Sequence, residues 1–295
     1  MGRGDRVIAN PAARTIATFD LAAGQQPENF IPAADGGFDV NFGFNRQVAY
    51  VSAKGQVSVL ATMPLSDSLS KSPIGKAFLG GMVRAGGSLY VNYTTGFAAD
   101  DGIWRIGPNG QPTRISAFPV SSLLNGLALD PRTGYLYAAD SLASVIRRVP
   151  LAGGTPVAWA TGSALARTNN LGANGIKVHD GAVWVSNTDN GTLLRIPIDR
   201  DGGAGPIQTW ASGLPTIDDF AFTGHGDTVA IALDEDNKVV LLSDHRIVRT
   251  ILSAGDGISN PSSIVPLRGD TIAVASTAYF TNSDPNLLTV RGPGL

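Results

Sequence analysis

The chain has 295 residues, 43% hydrophobic and 16% charged, with 36 glycines, 18 prolines, no cysteine and a formal net charge of −2. This excludes a disulfide framework, a thiolate metal site and a cysteine nucleophile, and the absence of a basic block argues against nucleic acid and membrane surfaces as partners. No apolar run is long enough to cross a bilayer and Met1-Gly-Arg-Gly-Asp-Arg6 lacks the apolar stretch of a signal peptide, a pattern that cytoplasmic proteins share with the mature part of exported ones.

Short apolar runs separated by Gly- and Asp-bearing turns predict strands throughout. Arg14-Thr-Ile-Ala-Thr-Phe19 reads as a stray outer strand, because it resembles Val57-Ser-Val-Leu-Ala-Thr62, the last strand of the unit that follows. That unit opens at Glu28 and continues through 38–44, 47–52 and 57–62. A second opens near Gly81, with a longer excursion from Tyr93 to Asp101. The third and fourth open at Asn125-Gly126 and Asn174-Gly175, the fifth at Asp218-Asp219, and the sixth at Asn260. The sixth is one strand short.

Six four-stranded units, the last completed by the N-terminal strand at about 14–19, predict an all-β, six-bladed β-propeller forming one domain over 1–295. A β-sandwich would give no reason for a polar residue to recur at the head of each unit. In a propeller the innermost strands line a central tunnel, so Glu28, Gly81, Asn125, Asn174, Asp218 and Asn260 should meet at one mouth. Carboxylate and carboxamide oxygens suit a hard divalent cation, above all Ca2+, with other divalent ions open. At any single position turn chemistry is the simpler reading. Jointly, Glu28, Asn174 and Asp218 favour a metal, because crowded carboxylates repel unless a cation or a shared proton relieves them.

On these residues the chain resembles the calcium-dependent lactonases and esterases related to senescence marker protein 30, gluconolactonase and luciferin-regenerating enzyme, with paraoxonases and diisopropyl fluorophosphatase more distant. The likeness covers nearly the whole chain as a blade pattern, and its specific part is Pro27-Glu28, Asn125-Gly126, Asn174-Gly175 and Asp218. It implies Glu28, Asn125, Asn174 and Asp218 as metal ligands and a small-molecule lactone or ester as substrate. Asn29 after the glutamate departs from the family, as does Asp219 where glycine is usual. The second departure makes Asp219 a further ligand, a partner of one, or the base.

His179, His225 and His245 fall in turns expected on the face away from the ring, which leaves a metal with a carboxylate base. The resemblance implies Asp218 as the base, with Asp219 second. Asn125 would complete the metal shell or bind substrate, and the aromatics Tyr93, Phe97, Tyr279 and Phe280 in mouth-side loops are the expected substrate contacts. Asp234-Glu-Asp-Asn237 reads as a solvated turn. The expected protein is a monomeric calcium-dependent hydrolase. The rival readings are a non-catalytic ligand- or protein-binding propeller and a condensing enzyme like strictosidine synthase.

Overall fold

Alternating apolar runs and tight turns fold into 24 strands in the computed structural model, which describes residues 13–295; no α-helix occurs among them. The strands form six four-stranded antiparallel sheets, the blades of a propeller. Blade 1 is β2 (Pro27–Pro32), β3 (Phe38–Phe42), β4 (Gln47–Val51) and β5 (Val57–Thr62); blade 2 is β6 (Phe78–Ala85), β7 (Ser88–Thr94), β8 (Gly102–Ile106) and β9 (Pro112–Ala117). Blade 3 is β10 (Leu124–Asp130), β11 (Tyr135–Asp140), β12 (Val145–Pro150) and β13 (Val157–Thr161); blade 4 is β14 (Ala173–His179), β15 (Ala182–Asn187), β16 (Thr192–Pro197) and β17 (Gln208–Ser212). Blade 5 is β18 (Ile217–Phe222), β19 (Val229–Leu233), β20 (Lys238–Ser243) and β21 (Arg246–Ser253), and blade 6 contributes β22 (Pro261–Leu267), β23 (Thr271–Ser276) and β24 (Asn286–Arg291). The Met1–Arg6 stretch lies outside the described residues.

The missing strand of blade 6 is β1 (Arg14–Thr18), which pairs antiparallel with β24 through Arg14↔Thr289 and Thr18↔Asn286. The ring is therefore closed by the N-terminal strand, as the short sixth unit predicts. Closure also has an apolar part. Ala17 and Phe19 pack with Phe30, Phe38 and Phe42 of blade 1 and with Ala273, Ala275 and Leu287 of blade 6. Phe19 meets Phe42 edge to face at 5.2 Å between ring centroids, a favoured aromatic geometry.

The second strands of the blades are buried along nearly their whole length and read as mainly apolar runs. Their side chains fill six clusters, each drawn from two neighbouring blades. Among the described residues the apolar clusters lie between blades and leave the centre to the tunnel, and what faces it is set by the innermost strands.

All six innermost strands carry one extra residue relative to their partner, a β-bulge, at the same height: between Pro27 and Asn29, Leu79 and Met82, Leu124 and Leu127, Ala173 and Ile176, Ile217 and Phe220, and Pro261 and Ser263. A bulge re-aims side chains that a regular pleat would send alternately to either face. Each bulge opens a four-residue unit: a lead residue, two at the tunnel, then an apolar anchor. This corrects two expected ring positions. Aligned on the anchors Met82 and Ile264, the residues equivalent to Glu28 and Asn125 are Gly80 in place of Gly81, and Ser262 in place of Asn260.

Candidate active site at the tunnel

The first residues of the six units form an upper tier: Glu28, Gly80, Asn125, Asn174, Asp218 and Ser262. The second residues form a lower tier: Asn29, Gly81, Gly126, Gly175, Asp219 and Ser263. A small cavity of about 20 Å³ lies among them, lined by Glu28, Asn125, Asn174 and Asp218 from above and by Lys177 and Asp219 from below. That volume suits one ion or one water.

The upper tier is buried, with Glu28 6% and Asp218 9% exposed. Burial pushes the Glu28 carboxyl up to about 8, aided by the charges of Asp234 and Asp219 and opposed by a hydrogen bond that the Tyr279 hydroxyl donates to Oε2 at 2.8 Å. Burial also drives Asp218 well above the usual carboxylate range, reinforced by the charges of Glu28, Asp234 and Asp219 and opposed by a hydrogen bond from Asn174. Two carboxyls buried at one cavity cannot both ionise without a counter-charge.

Asn174 Nδ2 donates to Thr188 Oγ1 at 2.9 Å, and that hydroxyl donates to Ile217 O at 2.8 Å. With its amide nitrogen engaged, Asn174 has its carbonyl oxygen free for the cavity. The donor set is thus two carboxylates and two carboxamides, a mixture that fits Ca2+. Among the described residues no three Asp, Glu or His side chains are grouped to hold a metal unaided, so the asparagines are necessary to any such site.

Asp219 is engaged differently. Its Oδ1 takes Lys177 Nζ at 2.6 Å, and its Oδ2 accepts from Ser263 Oγ at 3.1 Å. Asn29 Nδ2 donates to the same Ser263 oxygen at 3.2 Å, and Asn29 Oδ1 accepts from Met82 N at 3.1 Å. This polar chain runs through the lower tier from blade 4 to blade 2. In the three remaining lower positions glycine is required by contact: a Cβ at Gly175 would stand 2.6 Å from Asp218 O, one at Gly126 2.4 Å from Asn174 O, and one at Gly81 2.1 Å from Leu127 N. Neighbouring tunnel strands approach closely only because these side chains are missing.

Polar residues on the second strands hold the bulges from outside. Asn41 Nδ2 donates to Gly80 O at 2.6 Å, Asn92 Nδ2 to Asn125 O at 2.8 Å, and Ser186 Oγ to Asp218 O at 2.6 Å. Ser262 Oγ does the same for Glu28 O at 3.0 Å, from the sixth tunnel strand. Sequence reasoning passed over these groups, although a polar residue inside an otherwise apolar second strand was their signal.

Above the tunnel a funnel of about 1420 Å³ is walled by second-to-third-strand loops and blade connections, including Ile74, Leu142, Arg167, Leu171, Asp189 and Phe280. Asp189 orders the 168–171 stretch by accepting backbone N–H bonds from Thr168 at 2.8 Å, Asn169 at 2.6 Å, Asn170 at 2.9 Å and Leu171 at 3.2 Å. The Arg167–Leu171 wall was not anticipated; the long connection between blades 3 and 4 was the available clue.

The expected substrate contacts divide. Phe280 lines the funnel and is 59% exposed. Asn125 lines the small cavity. Tyr93 is fully buried in the core between blades 1 and 2, and its hydroxyl donates to Pro64 O at 2.7 Å, so it faces no cavity. Phe97 lies beside Lys71, whose Nζ is 5.3 Å from the ring centroid, and is not among the residues that line the funnel. Asp234 is a correction to the solvated turn: its Oδ1 is buried without a hydrogen-bond partner, and burial, with the Glu235 charge, raises its carboxyl to about 7. Asn260 is turn chemistry after all, its Oδ1 accepting from the backbone N–H of Phe280 at 3.0 Å and Thr281 at 2.9 Å.

The histidines stand elsewhere. His179 stacks on Phe222, His225 Nε2 is 2.8 Å from Asp270 Oδ1, and His245 Nδ1 is 2.6 Å from Trp210 O; none lines the funnel or the cavity.

No protein-family model matches the chain, and no curated protein matches it in sequence. Solved structures do resemble it. Regucalcin from Agrobacterium tumefaciens strain C58, described as a calcium-binding protein, is 15% identical over 95% of this chain and 93% of its own, with a TM-score of 0.68. A luciferin-regenerating enzyme is 12% identical over 96% of both chains, with a TM-score of 0.68. Virginiamycin B lyase from Staphylococcus aureus is 14% identical over 94% of this chain and 98% of its own, with a TM-score of 0.59. At these identities the likeness shows the shared fold.

Proposed function

We propose that the protein is a calcium-dependent hydrolase of lactones or esters, with Glu28, Asn125, Asn174 and Asp218 as the metal ligands. The observation that carries this is the pair of buried carboxyls, Glu28 and Asp218, facing one ion-sized cavity with two carboxamides beside them. Ca2+ bound there would supply positive charge to polarise a carbonyl and to stabilise the oxyanion formed on attack. Asp218, which lines the cavity beside Glu28, would take the proton of the attacking water. Asp219, paired with Lys177, fixes the floor of the site. Asn125 orients the substrate oxygen or shares in holding the metal, and the funnel receives the body of the bound molecule.

The likeness to regucalcin and a luciferin-regenerating enzyme supports this reading as a likeness of fold. A non-catalytic binding propeller would keep the funnel and have no use for the two acids beneath it. The experiment is a calcium titration by calorimetry, followed by assay of aryl esters and five- or six-membered lactones. EDTA should abolish hydrolysis and calcium should restore it, while a variant with all three histidines changed to Gln should stay within about tenfold of wild type. Absence of binding at millimolar calcium would overturn the metal reading, and binding without turnover of any ester or lactone would favour the binding propeller.

A further inference from the structure

Tyr279 belongs to the loop after β23, in blade 6, yet its hydroxyl donates to Glu28 Oε2 of blade 1 at 2.8 Å. Three features fix the phenol there. Its ring lies against Phe44, with centroids 4.8 Å apart. The loop is pinned by Asn260, which accepts from the N–H groups of Phe280 and Thr281, and by Gln26, whose Nε2 donates to Thr277 O at 3.2 Å. The hydroxyl also occupies the place of an absent side chain, since a Cβ on Gly43 would fall 2.1 Å from the Tyr279 oxygen and 3.4 Å from Glu28 Cβ. Gly43 has no positive φ to explain it, so contact alone accounts for the glycine.

We infer that Tyr279 is a positioning residue for Glu28: it holds Oε2 so that Oε1 is presented to the tunnel cavity, and Gly43 is the socket that admits its hydroxyl. This rests on the metal reading above. A carboxylate free to rotate would offer the ion two oxygens in many orientations, whereas one oxygen tied to a buried donor leaves a single presented ligand atom. The phenol is a donor that suits the ionised carboxylate, the form a cation requires. Tyr279 thereby leaves the set of substrate contacts, its polar atom being committed to Glu28.

The test compares calcium affinity by calorimetry with metal-free melting for wild type, Tyr279→Phe, Gly43→Ala and the double variant. Tyr279→Phe keeps the ring against Phe44, so the metal-free melting temperature should stay within about 2 °C while calcium binding weakens about 10- to 100-fold. At saturating calcium its kcat should return to within about tenfold of wild type. Gly43→Ala should weaken calcium binding comparably by displacing the phenol. The double variant should bind no more weakly than Tyr279→Phe alone, because the oxygen the new methyl would strike is gone. Additive losses of affinity, or variants that bind calcium as wild type does, would overturn this inference alone. A wild type that binds no calcium would overturn the proposed function and this inference with it.

Discussion

Lys177 Nζ stands 2.6 Å from Asp219 Oδ1, so two adjacent aspartates in the same bulge have different electrostatic surroundings. Asp219 has a cation and the Ser263 hydroxyl; Asp218 faces Glu28 with only Asn174 to donate to it.

Replacing each aspartate by Asn should separate the two roles. Asp218→Asn, assayed at saturating calcium, should lose 10²-fold or more in rate, as expected for a general base. Asp219→Asn should keep kcat within about tenfold but strand the Lys177 charge. Because the Lys177 side chain is 30% exposed, the loss of stability should be about 1–3 kcal/mol, below that of a fully buried broken pair. Urea melts and ester assays on both variants decide this; equal rate losses would return Asp219 to the candidate bases.

Stability without metal should fall as pH rises. Glu28 and Asp234 hold protons up to about 8 and 7, and Asp218 is raised further than its ordinary range by the same burial and repulsion. The folded state therefore binds protons that the unfolded chain releases in the usual carboxyl range. The stabilisation is complete below that range and is lost as pH climbs through about 7 and 8. Calcium bound at the proposed site would displace these protons, so its affinity should tighten over the same window. Melting curves between pH 5.5 and 9 in EDTA should slope downward, and calcium should flatten them; a flat EDTA series would contradict the buried acids.

Deletion of the residues before Asp20 should open the ring. It removes the β1 pairing with β24 and the Ala17 contribution to the seam, and it leaves a bare strand edge. The expected result is aggregation or a steep loss of melting temperature by light scattering and calorimetry. A truncated chain that stays soluble with an unchanged melt would count against closure as a stabilising device.

Gly175→Ala should destabilise by roughly 1–3 kcal/mol through overpacking, since the new methyl would meet Asp218 O at 2.6 Å and Asp219 Oδ1 at 2.7 Å. Gly255→Ala, where the nearest atom is 3.9 Å away, should be near neutral. Thermal melts of the pair test whether the glycine after Asn174 is required by strand approach.

The blade pattern was legible because five of the six units set a polar residue two places before an apolar anchor, the second unit having Gly80 there, and the motif recurs at a regular spacing along the chain. The misplaced members show what the pattern omits. Asn260 has the same residue type as the ring asparagines, but the extra residue of blade 6 is Ser262; aligning on Ile264, the anchor, would have found it. Tyr93 and Tyr279 looked alike as aromatics near the mouth. Tyr93 lies within β7 and is committed to the core, while Tyr279 follows β23 on a loop whose path depends on Asn260 and Gln26, contacts made across long stretches of chain. Asp234 follows β19 in a charged run that suggests solvent, yet its Oδ1 turns inward, a direction that composition does not encode.

Glu28 and Tyr279 are 251 residues apart in sequence, and they meet only across the junction that β1 and β24 complete. The Glu28 carboxyl is consequently among the last parts of the molecule to acquire its final geometry, after blade 6 has docked on blade 1. During synthesis the emerging chain would carry an acid at Glu28 with no fixed orientation, and metal capture would coincide with the end of folding. Calcium uptake followed in a refolding experiment would thus act as a clock for ring completion, lagging behind the formation of the individual blades.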